Sequence, residues 1–131
     1  MSTNTNPFLT PTKAARGLGS AKSGTAHHIR LRVAAIALIF LVPWFLYAVI
    51  SATTAGYDGA RAFVAQPLNG ALLLITAGAV AYHMSLGMQV IIEDYISKTG
   101  LRTTLLILNI FAAIAMFVAV AISVIQIWIA G

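Results

Sequence analysis

Apolar residues occur along this chain in three long runs that are separated by short polar stretches. The runs cover about residues 33–53, 70–92 and 104–130. A helix needs ~20 mainly apolar residues to cross a hydrocarbon core of about 30 Å, and all three runs are long enough. Because unsatisfied backbone groups are excluded from lipid, helices rather than strands are predicted. We therefore predict an all-α membrane protein with three transmembrane helices.

The polar stretches set the predicted boundaries of the chain. Residues 1–28 are rich in Ser, Thr, Asn, Pro and Gly, which is typical of a flexible or surface-lying arm. We divide the chain into this polar N-terminal arm and a three-helix anchor domain, residues 29–131. Residues 53–69 and 93–103 are predicted to be loops. Pro43 lies inside the first run and predicts a kink there.

Composition narrows the class of protein further. Of the 131 residues, 60% are hydrophobic and only 8% are charged, whereas a soluble domain carries about 25% charged residues. The absence of cysteine excludes a disulfide framework and a Cys-ligated iron–sulfur cluster within this chain. No Walker loop, dinucleotide fingerprint, HExxH or GxSxG motif occurs.

The distribution of positive charge predicts the orientation. The net charge of +5 comes mainly from the N-terminal region, so it indicates topology and not nucleic-acid binding. Arg61 is the only cation of the first loop, whereas five precede the first run and two lie in the second loop: Lys13, Arg16, Lys22, Arg30, Arg32, Lys98 and Arg102. The positive-inside rule then predicts a cytoplasmic N-terminus and second loop, with the C-terminus on the other side.

His83 is the only ionisable residue of the second apolar run. An ionisable ring inside hydrocarbon needs a partner, so it is a functional-site hypothesis by default. On a helix, His83, Gly87, Val90 and Asp94 share one stripe, because eleven residues advance only ~20° beyond three full turns. One interpretation is an axial haem ligand, and the other is a buried histidine hydrogen-bonded to a neighbouring helix. If a haem has two protein ligands, the second must come from another chain.

Asp94 and Tyr95 follow at the predicted cytoplasmic end of the same helix, ~16–18 Å from His83 along its axis. The Tyr95 hydroxyl could donate to a quinone carbonyl, and Asp94 could orient a cation or relay protons. The ordinary alternative is that the tyrosine belongs to the interfacial aromatic belt and the acid to a solvated helix end.

Polar residues elsewhere have more ordinary interpretations. His27, His28 and Arg30 are predicted to be boundary anchors that meet lipid phosphate. For Arg32, this role and pairing with haem propionates or a docked soluble partner are equally favoured. Single polar residues such as Asn109 predict interhelical hydrogen bonds, worth ~1 kcal/mol each.

Two segments together resemble a known family. The segment Ser23–Leu38 reads SGTAHHIRLRVAAIAL, and it precedes three spans that contain H-x3-G-x6-DY from His83 to Tyr95. This combination resembles the small hydrophobic membrane anchor of succinate dehydrogenase (complex II, succinate:quinone oxidoreductase). The resemblance covers about residues 20–131.

The resemblance implies a role for each matching residue. His83 would be an axial ligand of haem b, with the other ligand supplied by the larger cytochrome b anchor subunit. Tyr95 would hydrogen-bond ubiquinone, Asp94 would support that quinone site, and Arg32 would lie near the haem propionates and the quinone pocket. The iron–sulfur and flavoprotein subunits would dock on the cytoplasmic side, and succinate itself would be oxidised outside this chain.

We expect a non-catalytic anchor subunit that helps pass electrons from succinate to quinone, in contact with membrane lipid but not with nucleic acid. Two alternatives stay open: the anchor of a quinol:fumarate reductase, and a non-redox scaffold in which His83 is structural. The short, barely amphipathic arm favours the inner (plasma) membrane of a bacterium, with a periplasmic C-terminus.

Overall fold

The computed structural model of the chain describes residues 23–130, and this part forms three helices. They are α1 (Ser23–Ala65), α2 (Pro67–Tyr95) and α3 (Thr99–Ile129). Each helix is long and apolar enough to cross a membrane, and no strand occurs in the described part. The prediction of an all-α protein with three transmembrane helices is therefore confirmed.

Helix α1 begins earlier than the first apolar run. The predicted arm boundary at residue 28 falls within α1, because the backbone is already helical at Ser23. Residues 1–22, which make up most of the predicted arm, lie outside the described residues. Helical backbone before the apolar run places Arg30 and Arg32 on the helix itself and not on a loop that leads into it.

The backbone of α1 is interrupted at Gly56 and not at Pro43. Pro43 lies inside the helix, whereas Gly56 is the residue with non-helical torsion angles, φ 70° and ψ −175°. This region of torsion space is accessible essentially only to glycine. Just before the break, the Thr53 and Thr54 hydroxyls donate to the Ile50 carbonyl at 2.9 and 3.0 Å, and such back-bonding often bends helices.

Both predicted loops are shorter in the structure. Residues 57–65 continue as helix, so the expectation of a loop over residues 53–69 is wrong for most of its length. The three alanines in residues 57–65 favour helix, and Gly56 together with the single non-helical residue Gln66 suffices to reverse the chain. The second connection, predicted over residues 93–103, comprises only residues 96–98 between α2 and α3.

Small side chains occupy half of the buried apolar positions. In the described part, the buried apolar residues include three alanines, and the remaining members are larger: Ala34, Ala48, Ala81, Leu86, Ile92 and Val124. Small residues let transmembrane helices approach closely without a hydrophobic driving force. Large apolar side chains instead point outwards, with Phe40 73% and Phe111 66% exposed. This outer surface suits lipid or partner helices and not water.

All three helices meet in a tight cluster at one end, which we call the clasp. The Trp128 indole donates to the Val64 carbonyl at 3.1 Å, and the Arg61 guanidinium donates to the Ala130 carbonyl at 3.3 Å. Gly70 allows the indole to lie there, because a Cβ at this position would come within 2.5 Å of the Trp128 ring. The clasp therefore joins the end of α1, the start of α2 and the end of α3.

A second link joins α2 and α3 further along. The Asn109 side chain donates to the Ser85 carbonyl at 2.8 Å and to its hydroxyl at 3.2 Å. The predicted interhelical role of Asn109 is thereby confirmed. Because Ser85 lies two residues beyond His83, this bond fixes α3 against the middle of the helix that carries the candidate site.

Candidate functional site

His83 lies near the middle of α2, and its side chain is half-buried. Its Nδ1 atom is buried and has no hydrogen-bond partner within residues 23–130. A buried polar atom without a partner costs about 1–3 kcal/mol, so native proteins nearly always satisfy it. The hydrogen bond to a neighbouring helix that would make His83 purely structural is thus not formed by the described part of the chain.

Open space adjoins His83 on the same stripe of α2. Gly87 lies one turn further along, and a Cβ built on it would meet no atom within 4 Å. Gly70, by contrast, is packed directly against an indole ring. The expected room beside His83 is therefore present, and it lies where a flat ring could approach the helix backbone.

Asp94 and Tyr95 are the last two residues of α2, and both side chains are exposed. The Tyr95 side chain is 82% exposed. Neighbouring Glu93 is held in a different interaction, since its carboxylate accepts a hydrogen bond from the Gln89 amide at 2.8 Å. Asp94 and Tyr95 thus remain available to groups outside this part of the chain.

The structure does not bring His83 and Tyr95 onto one face. Asp94 lies ~20° around the helix from His83, whereas Tyr95 lies ~120° around it, at 100° per residue. Tyr95 lines an apolar groove of about 430 Å³ between α2 and α3, whose other walls include Met88, Ile91, Leu105 and Leu108. The two candidate groups are therefore separated both along the helix and around it.

Arg32 and the two histidines lie on the first turns of α1, at the end of the molecule away from the clasp. Arg32 and His28 are exposed, while His27 is half-buried with its Nε2 atom buried and unpartnered within residues 23–130. No hydrogen bond joins Arg32 to Asp94 or Tyr95 in the described part. The antiparallel order of α1 and α2 puts these residues at the same end of the molecule.

The described residues contain no group of three or more His, Asp or Glu side chains that could hold a metal ion. A metal ion at His83 would therefore need its remaining donors from outside the described residues. The sequence pattern did not predict a groove around Arg61, next to the clasp. Tyr57 and Arg61 are four residues apart, and on a helix that spacing places both side chains on one face.

Comparison with known proteins decides the family. A family model described as "Succinate dehydrogenase/Fumarate reductase transmembrane subunit" matches residues 7–122. The chain belongs to this family. The resemblance predicted from the H-x3-G-x6-DY pattern is confirmed at this level, and the transmembrane subunit is a multi-pass membrane protein.

Curated relatives agree with the family match. The succinate dehydrogenase hydrophobic membrane anchor subunit of Rickettsia bellii is 39% identical over 110 residues, which cover 81% of this chain and 88% of the relative. The corresponding protein of Paracoccus denitrificans is 33% identical over 114 residues, 86% of each chain. No solved structure matches significantly. This transmembrane subunit is thus a membrane anchor of the succinate dehydrogenase type.

Proposed function

We propose that this anchor subunit helps to bind haem b and to form the quinone-reduction site of a succinate:quinone oxidoreductase. The observation that carries the proposal is the imidazole of His83 in the middle of α2, which makes no side-chain hydrogen bond in the described part and has its Nδ1 atom buried. An imidazole in lipid requires a partner, and the described part of this chain offers none. Because this chain's own atoms cover Nδ1, a haem iron would bind the other ring nitrogen, Nε2, which is not enclosed in this way.

The residues around His83 fit such a group. The absence of any atom within 4 Å of a Cβ on Gly87 leaves space for a flat macrocycle beside the helix. His83 would hold and orient the ring, and Arg32 would meet a propionate or the edge of the quinone pocket. Bound haem b would supply a one-electron redox centre within the membrane.

A second protein ligand would come from a partner subunit, because His83 is the only histidine within the three predicted spans. The expected partners are a cytochrome b anchor subunit and the iron–sulfur and flavoprotein subunits. Large exposed apolar side chains on α1 and α3, such as Phe40 and Phe111, support helix-to-helix contacts with another membrane subunit.

Tyr95 and Asp94 would serve the quinone. The exposed Tyr95 hydroxyl can donate a hydrogen bond to a ubiquinone carbonyl, and the apolar groove beside it can accept the hydrophobic part of the molecule. Asp94 would hold a proton or a cation at the edge of that site. The chain would thus orient the acceptor while electrons arrive from the iron–sulfur partner.

The cations of the described helices support the predicted orientation. Arg30 and Arg32 begin α1 and Lys98 and Arg102 flank the connection from α2 to α3, whereas Arg61 is the only described cation at the clasp end. The positive-inside rule then places the Tyr95 end in the cytoplasm and the clasp on the periplasmic side of a bacterial inner membrane.

The test is the optical spectrum of the complex purified from membranes with its partners. We expect a low-spin b-type haem with bis-imidazole character, which His83→Ala removes while the chain still copurifies. Met84→Ala, on the same turn but about 100° away, is the matched control and should leave the spectrum intact. An unchanged haem spectrum in His83→Ala would disprove the ligand assignment.

A further inference from the structure

A groove of about 460 Å³ lies beside the clasp, between residues 57–65 of α1 and the last two turns of α3. We call it the Arg61 groove. Its walls carry four polar side chains and several apolar ones, among them Tyr57, Arg61, Ser123, Gln126, Val64 and Ile127. It lies at the opposite end of the molecule from Tyr95 and is separate from the site proposed above.

Helical spacing explains why these side chains converge. Tyr57, Arg61 and Val64 are four and three residues apart, so they share one face of the helix that follows the Gly56 break. Ser123 and Gln126 share a face of α3 in the same way. Because Gly56 redirects the chain, the two faces meet across the groove instead of pointing into separate regions of lipid.

The charge in the Arg61 groove is unbalanced. The half-buried Arg61 makes one hydrogen bond within residues 23–130, to the Ala130 carbonyl at a long 3.3 Å. A guanidinium carries five N–H donors and matches phosphate or carboxylate geometry. No described carboxylate lines the groove, and Asp58, three residues before Arg61 on the same helix, is exposed and makes no hydrogen bond to Arg61 in the described part. A partly desolvated cation of this kind favours an anion from outside the chain.

We propose that the Arg61 groove binds the phosphate headgroup of an anionic phospholipid. The groove lies where α1 and α3 end and α2 begins, which is the level of a membrane boundary. Arg61 would bind the phosphate, the Tyr57 hydroxyl and the Gln126 amide would add donors, and Val64 and Ile127 would contact the start of an acyl chain. On α3, Ile125 and Ile129 are 45% and 80% exposed, and they extend an apolar surface away from the groove.

The experiment uses the complex with its partner subunits in nanodiscs of phosphatidylcholine, with or without phosphatidylglycerol. Native mass spectrometry measures the retained lipid, and thermal unfolding measures the stabilisation that it gives. Because charge-assisted hydrogen bonds are among the strong ones, we expect Arg61→Gln to lower phosphatidylglycerol retention by about tenfold. Retention by Arg61→Lys should lie between that of Arg61→Gln and that of the unmodified chain, because lysine keeps the charge but loses the planar guanidinium.

Matched controls separate a binding site from general surface charge. Arg102→Gln removes another half-buried arginine, at the other end of the molecule, and should retain the lipid like the unmodified chain. Tyr57→Phe keeps the charge and should lower retention by about threefold, whereas Tyr47→Phe, on the exposed surface of α1, should have no effect. If Arg61→Gln fails to assemble, the comparison of Tyr57→Phe with Tyr47→Phe still tests whether the groove binds the lipid.

Two outcomes would overturn the proposal. Equal destabilisation of Arg61→Gln in both lipid compositions, with unchanged retention, would mean that Arg61 only caps α3. Loss of retention in Arg102→Gln as large as in Arg61→Gln would mean that any arginine gives the effect. Inorganic phosphate, added in phosphatidylcholine nanodiscs, should not reproduce the stabilisation, and if it does the ligand is free phosphate and not a lipid.

Discussion

The clasp and the His83 stripe (His83, Gly87, Val90 and Asp94) use similar residue types in opposite ways. At the clasp the indole of Trp128 finds a carbonyl within the same chain, and Gly70 is filled by the ring. On the stripe the His83 Nδ1 finds no partner within residues 23–130, and the space at Gly87 is open. The contact of Trp128 with Gly70 and Val64 is thus completed within the chain, whereas the His83 stripe leaves an unpartnered ring and open space for a group from outside.

This difference separates residues that stabilise the fold from those that are available for function. Buried polar groups in native proteins are mostly satisfied, so the unpartnered His83 ring in the middle of α2 is the feature that favours a group from outside the chain. Both such atoms in the described part, on His27 and His83, lie away from the clasp. The clasp and the stripe can be altered separately at Gly70 and Gly87, while Tyr95 and Asn109 test the groups that lie next to them.

The largest expected change in stability comes from filling Gly70. A Cβ there would lie 2.5 Å from the Trp128 ring, and overpacking of this kind costs about 1–3 kcal/mol. We therefore expect Gly70→Ala to lower the thermal unfolding midpoint of the purified complex without lowering the content of the proposed haem. An unchanged midpoint would mean that the indole moves aside freely and that the clasp is loose.

Gly87→Ala is the matched substitution on the His83 stripe, and the opposite result is expected. No atom lies within 4 Å of the new Cβ, and alanine is favoured over glycine inside a helix by about 1 kcal/mol. Stability should therefore be kept or slightly raised. Haem content should fall, because the methyl group occupies the space into which the macrocycle would enter. Full haem content in Gly87→Ala would place the macrocycle on another face of α2.

Tyr95→Phe should impair quinone reduction but not succinate oxidation. Loss of one hydrogen bond to the quinone is expected to slow quinone reduction by about tenfold, while succinate oxidation with an artificial acceptor continues. Tyr82→Phe is the control, since Tyr82 is also exposed on α2 but lines a different groove. Equal loss of both activities in Tyr95→Phe would contradict the quinone role.

The number of helices and the His83 stripe could be predicted because both depend on local pattern. Hydropathy over ~20 residues defines a span, and a fixed helical period aligns His83 with Asp94. The helix over residues 57–65 was missed because Gly56, Asp58 and Gly59 resemble turn residues. Of these only Gly56 leaves helical torsion angles.

The clasp could not be predicted for a different reason. Gly70 and Trp128 are far apart in sequence, and neither carries a local signal that pairs it with the other. The same holds for the Arg61 groove, whose two walls come from α1 and α3. A sequence pattern places residues on a face, but which faces meet depends on how the Gly56 break and the Gln66 connection turn the chain.

The smallest expected effect lies between the two regions, at Asn109. Its amide joins α3 to the Ser85 carbonyl on α2 at 2.8 Å, and interhelical hydrogen bonds in membranes average about 0.6 kcal/mol. Asn109→Ala should therefore lower the unfolding midpoint less than Gly70→Ala does. Asn109 also lines the Tyr95 groove, so the apparent affinity for quinone should weaken slightly if this groove accepts the hydrophobic part of the substrate. A change in stability with no change in quinone affinity would restrict Asn109 to helix packing and direct attention to the opposite side of Tyr95.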